Sequence, residues 1–114
     1  MLIENASKGT ELATSAQAAV SFRSRLVGLL GRSSLPPGSG LMLEPCRSIH
    51  TAFMRFEIDV VYVDRLRQVT KIVPGLKPFR LSGVLRGAAA VIELPAGAIA
   101  CSRTDVGDQL MFVD

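Results

Sequence analysis

The chain has 114 residues, 48% of them hydrophobic and 20% charged, with a net charge of +3. That length suits one domain, and the balance of apolar over charged residues excludes a disordered chain. No apolar run approaches the roughly 18 residues of a membrane-spanning helix, and Glu4, Asn5, Ser7 and Lys8 break up any secretory leader at the start. These features lead us to expect a cytoplasmic chain with reduced thiols, although a secreted chain already freed of its leader would read the same. Cys46 and Cys101 could pair, but nothing in the sequence demands it.

In chain order, residues 2–5 and 10–14 read as two short strands. The Ser7-Lys8-Gly9 turn joins them as a hairpin. Ser21 is a good N-cap, and Phe22, Leu26, Leu29 and Leu30 recur near helical spacing, so one clear helix is expected there, ended by Gly31. Pro36-Pro37-Gly38 punctuates a loop. Leu41-Met42-Leu43 reads as a buried strand, with Met42, Met54 and Met111 as core filler. Ile58 to Val63 is the most strand-like segment, rich in β-branched side chains. Asp64-Arg65-Leu66-Arg67 turns it tightly into Gln68–Val73. Pro74 to Gly87 reads as a long connection with a short edge strand at Phe79–Leu81. Ala88 to Leu94 returns to buried strand. Pro95 is well placed to begin a short helix. Gly107-Asp108 makes a turn into a last strand, Gln109–Val113.

About six to eight short strands with one clear helix, not alternating regularly, argue against a doubly wound parallel sheet. The expected class is mainly β with α, of the α+β kind: a small bent mixed sheet or a partly closed β-barrel over residues 1–114 as a single domain.

Several signatures resemble those of an uncharacterised bacterial and archaeal family, domain-of-unknown-function family 192. They are Arg25-x-x-Gly28-Leu29-Leu30-Gly31-Arg32, Gly40-Leu41-Met42-Leu43, and the block from Cys46 through Ile49-His50-Thr51 and Met54-Arg55-Phe56 to Ile58-Asp59-Val60-Val61. Ala90 to Gly97 and Gly107-Asp108 follow in the expected order. The resemblance implies a compact β-rich domain and no particular activity. Two positions depart from the family pattern: Glu57 stands where Pro is frequent, and Arg67 where the hairpin turn often has Gly. A side chain is strained at a left-handed position, which favours a turn of another form here.

The block from Cys46 to Asp59 concentrates the chemistry. Cys46 and His50 stand four apart and are weak candidates for a metal, since a structural zinc site would need carboxylates such as Asp59 or Glu93 to complete it. The same residues could form a thiolate nucleophile, a base and an orienting carboxylate. Against both stands the plainer reading of a small buried thiol beside a hydrogen-bonded sheet corner. Arg47, His50, Thr51, Arg55, Asp59 and Glu93 make a candidate ligand site, because guanidinium forks grip carboxylates and phosphates. Glu93 interrupts an apolar strand, and a buried carboxylate needs a partner.

From Arg65 to Arg86 there are six cations and no acid. With Phe79 as its single aromatic, this stretch is poorly equipped for nucleic acid and reads more simply as a solvated face. No phosphate-binding glycine loop is present, and no cofactor is implied. Three functional classes therefore stand. The first is a non-enzymatic binding or interaction module for an anionic small molecule or a peptide. The second is a Cys/His-based enzyme or metal protein. The third is a structural accessory domain of a larger assembly. The sequence leaves the oligomeric state open.

Overall fold

The structure, a computed structural model, describes residues 1–19, 35–44, 56–77 and 87–114. Among them run β1 (Leu2–Asn5), β2 (Thr10–Ala13), β3 (Ser15–Ala19), β4 (Ser39–Leu43), β5 (Ile58–Val63), β6 (Val69–Leu76), β7 (Ala90–Pro95), the short helix α1 (Ala98–Ser102) and β8 (Leu110–Val113). They form a three-stranded sheet in the order β2-β1-β8 and a five-stranded sheet in the order β3-β4-β7-β5-β6. The β3–β4 pair is parallel and the other strand pairs among the described residues are antiparallel, so the larger sheet is mixed. Among the described residues the sheets do not close into a barrel. The helix expected at Ser21–Gly31 and the edge strand at Phe79–Leu81 lie outside the described residues.

Successive strand residues point to opposite faces, and the five-stranded sheet buries both. On its first face Met42, Val61, Val63, Ile92 and Leu94 pack with Ile3, Leu12 and Leu110 of the small sheet and Ile99 of α1. That cluster is the seam between the sheets. On the second face Leu41, Leu43, Ile58, Val60, Tyr62 and Val91 form another cluster, joined by Leu35, Ala88, Phe56 and Leu76. Two buried faces explain why β5 and β7 read as continuous apolar runs rather than alternating ones. Gly40 sits at a close approach between the layers: a Cβ there would meet Leu94 Cδ2 at 3.1 Å and Ala13 Cβ at 3.3 Å.

One strand lies where none was expected, and two readings of the sequence are corrected. Ser15–Ala19 is a strand, because its backbone bonds in parallel to Ser39–Leu43. β6 continues through Pro74 and Gly75 to Leu76; β6 ends the strand order, and an edge position tolerates Pro. Met111 is not core filler but half-exposed, whereas Met42 is buried. The turn after β5 also differs from expectation. Arg67 adopts a left-handed φ of 65°, and Arg67 N–H donates to Asp64 O at 3.1 Å. Asp64 Oδ1 accepts from Leu66 and Gln68 N–H. A three-residue loop ending in a left-handed residue is a standard hairpin connection, so the non-glycine residue is accommodated rather than avoided.

Candidate functional site

Asp59 and Glu93 were the described members of the expected site, and the sheet register separates them. Asp59 pairs with Leu94, and Val60 with Glu93, across β5 and β7. Directly opposed residues share a face, so Asp59 lies on the first face with Val61 and Leu94. Glu93 lies on the second with Leu41 and Val60. Arg47, His50, Thr51, Arg55 and Cys46 fall outside the described residues.

Asp59 is buried, and its environment is built from backbone. Its Oδ1 accepts from Gly75 N–H at 2.9 Å; its Oδ2 accepts from Gly97 N–H at 3.1 Å and Ile99 N–H at 2.8 Å. Gly75 is part of the bulge where Ile58 pairs with Leu76 but Val60 with Val73. Its φ of +65° is a conformation that favours glycine. One carboxylate therefore ties β5 to the bulge of β6 and to the start of α1. Three N–H donors suit a charged acceptor and satisfy groups that a helix start and a bulge otherwise leave open.

Glu93 is 5% exposed, in the middle of a strand whose neighbours on the same face are apolar. Leu35 and Phe56, each at the end of a described stretch, and Leu76 and Ala88, each next to such an end, pack into the cluster of this face. Tyr62, also on this face, is fully buried, with the Lys71 ammonium 5.5 Å from its ring centre.

Two polar arrangements escaped the sequence. Arg67 forms a two-pronged ion pair with Glu44, Nη1 to Oε2 at 2.6 Å and Nη2 to Oε1 at 3.1 Å. Its guanidinium also lies 5.0 Å from the Phe112 ring centre. The pair lowers the Glu44 carboxyl below its ordinary value, chiefly through the hydrogen bonds from Arg67. The second is a corner joining chain positions about a hundred residues apart. Buried Asn5 donates to Thr104 Oγ1 at 3.1 Å and to Asp108 Oδ2 at 2.9 Å. Asp108 Oδ2 also accepts from Lys8 Nζ at 2.8 Å and from Asp105 N–H at 2.9 Å. Burial opposes the Asp108 charge, but the bonds from Asn5, Lys8 and Asp105 outweigh it and hold the carboxyl at about 2. A signal existed for this corner: Asn5 follows Ile3 at strand spacing and faces inward, where an amide needs partners.

Cys101 is an exposed free thiol on α1. It borders a mostly apolar depression of about 400 Å³ between Pro37, Pro95 and Ala98. Among the described residues no group of three or more His, Cys, Asp or Glu is arranged to hold a metal, and no helix is long and apolar enough to cross a membrane.

A family model described as Uncharacterized ACR, domain-of-unknown-function family 192, matches residues 3–112. A UPF0127 protein of Pyrococcus furiosus is 32% identical over 111 residues, covering 93% of each chain. A UPF0127 protein of Thermococcus sibiricus is 35% identical over 63 residues, covering 55% of this chain and 40% of that one. Among solved structures, a protein of unknown function from Novosphingobium aromaticivorans superposes with a TM-score of 0.80 at 18% identity, covering 97% of this chain and 82% of the other. A Sinorhizobium meliloti protein provisionally described as a transcription regulator superposes at 0.78 with 20% identity, covering 96% and 89%. At these identities the structural likeness speaks for the fold alone.

Proposed function

We propose that this chain, which belongs to the uncharacterised domain-of-unknown-function family 192, is a non-enzymatic binding module whose site opens on the second face of the five-stranded sheet. The single observation that carries this reading is the position of Glu93, a carboxylate sunk in the apolar face where Phe56, at the end of the Cys46–Phe56 block, is also packed. The ligand is a small anion or an acidic peptide terminus. Arg47 and Arg55 supply guanidinium forks, and His50 and Thr51 supply single hydrogen bonds. Glu93 sets the orientation of these cations and limits how much negative charge the site accepts. Asp59 acts from the opposite face, as the anchor that fixes β5 and so the end of the block.

Thermal unfolding in the presence of phosphate and of small mono- and dicarboxylates tests the reading. At least one should raise the midpoint, and Arg55→Ala or His50→Ala should abolish the rise. A midpoint that no anion moves, or one that moves equally in both variants, removes it.

A further inference from the structure

We infer that the outer face of the three-stranded sheet is a self-association surface, and that its occupant is a second copy of this chain packed about a twofold axis running along β8. Three of the four large apolar side chains most exposed among the described residues gather here; the fourth, Val106, lies in the loop before β8. Met111, 50% exposed, and Val113, 40% exposed, point outward from β8, while Leu66, 72% exposed, caps the β5–β6 hairpin beside it. The hairpin tip is held against β8: Leu110 N–H donates to Arg67 O at 2.9 Å, and Gln109 Nε2 to Leu66 O at 2.7 Å. A β-strand that presents large apolar side chains with no charge or proline among them is one that proteins normally cover.

The charges flanking this strip say what covers it. Glu4 pairs with Met111 on one side and with Glu11 on the other, so the two carboxylates stand directly opposed on neighbouring strands. Like charges in that relation destabilise a sheet, and none of the described ion pairs relieves either of them. On the far side of β8, exposed Arg65 at the hairpin tip also takes part in none of those pairs. Across the face the order is therefore acid, apolar, base. A twofold axis along β8 inverts that order in the facing copy. Met111 and Val113 then meet their own counterparts, and each Arg65 comes over the opposing Glu4 and Glu11. Such a pattern is self-complementary, as an isologous interface requires, and the alternative axis, across the strands, would set acid on acid.

Sedimentation of the full chain over a wide concentration range, with Met111→Asp, Arg65→Glu and the Arg65→Glu/Glu4→Arg pair, decides it. The wild type should dimerise and Met111→Asp should be monomeric. Arg65→Glu should weaken the dimer by roughly tenfold, as loss of an interfacial charge pair does, and the double variant should recover most of it. Met111→Cys, in a chain with Cys46 and Cys101 replaced by Ser, should cross-link to itself on oxidation, because it lies beside the axis. Circular dichroism verifies that each variant is folded. A wild type that stays monomeric overturns the inference whatever other protein the face binds. A dimer indifferent to Met111→Asp, or one in which Met111→Cys fails to cross-link, overturns it equally.

Discussion

Asp59 and Glu93 stand on adjacent strands, one residue out of register, and face opposite sides of the same sheet. Each is almost wholly buried, yet their surroundings differ. Asp59 is enclosed by backbone N–H groups from β6 and α1. Glu93 lies on the opposite face, whose buried cluster Phe56 joins. Asp59 holds a junction on one side, and under the proposed function Glu93 conditions a ligand surface on the other; substitution should separate the two roles.

Asp59→Ala removes the acceptor from three N–H donors around a side chain that is itself buried. Bonds to a charged group are worth about 1.5–3 kcal/mol each, and they are not additive. We expect a loss of about 3 kcal/mol in urea unfolding, with a smaller loss for Asp59→Asn, whose amide keeps one acceptor. An Asp59→Ala protein within ~0.5 kcal/mol of wild type would contradict the anchoring role.

Glu93→Gln keeps the shape of the side chain and deletes its charge. An anion approaching the second face should then meet less repulsion and bind several-fold more tightly. The readout is the anion-dependent rise in unfolding midpoint, compared at equal anion concentration. An unchanged or smaller rise would show that Glu93 does not face the bound anion.

Arg67 carries opposing effects that two substitutions separate. A non-glycine residue in the left-handed region costs about 1 kcal/mol. The half-exposed Glu44 pair and the Phe112 contact return roughly 0.5–1 kcal/mol each. Arg67→Gly relieves the strain and loses both contacts, so its stability should stay near that of wild type. Arg67→Ala keeps the strain and loses the contacts, and should be lower by about 1–2 kcal/mol. Equal denaturation midpoints for the glycine and alanine variants would mean that the turn is not strained.

What the sequence disclosed was the part of the fold written in side-chain type. Ile58 to Val63 is a strand by composition, and the structure ends it at the expected residues because Asp64 turns the chain with its own carboxylate. Ser15 to Ala19 carries no β-branched residue and is a strand only because β4 lies beside it; a pairing partner 24 residues away leaves no local mark. Met111 looks like core by hydrophobicity, but its alternation with buried Leu110 turns it outward. The Asn5–Asp108 corner was half legible: an inward-facing Asn5 called for partners, but Asp108, 103 residues away, left no local mark. Of the candidate site, the sequence groups Asp59 and Glu93 as carboxylates around the same cations. Only the register, which fixes the face of every residue in a strand, divides them.

The Asn5–Asp108 corner gives the fold a defined acid response. The carboxyl of Asp108 is held at about 2, below its ordinary 3.8, so the folded chain binds this proton less readily than the unfolded one. The stabilisation is fully present above about pH 4 and is lost as the pH falls through about 2. A shift of this size corresponds to about 2 kcal/mol. Asp108→Asn removes the titration, so the stability difference between wild type and variant should shrink as the pH is lowered from 7 to 2. Lys8→Met should diminish it in part, because Asn5 and the Asp105 N–H still favour the charged carboxylate. Parallel stability curves for wild type and Asp108→Asn across that interval would mean that the Asp108 carboxyl titrates alike in the folded and unfolded chains, and that Asn5 and Lys8 do not hold its charge.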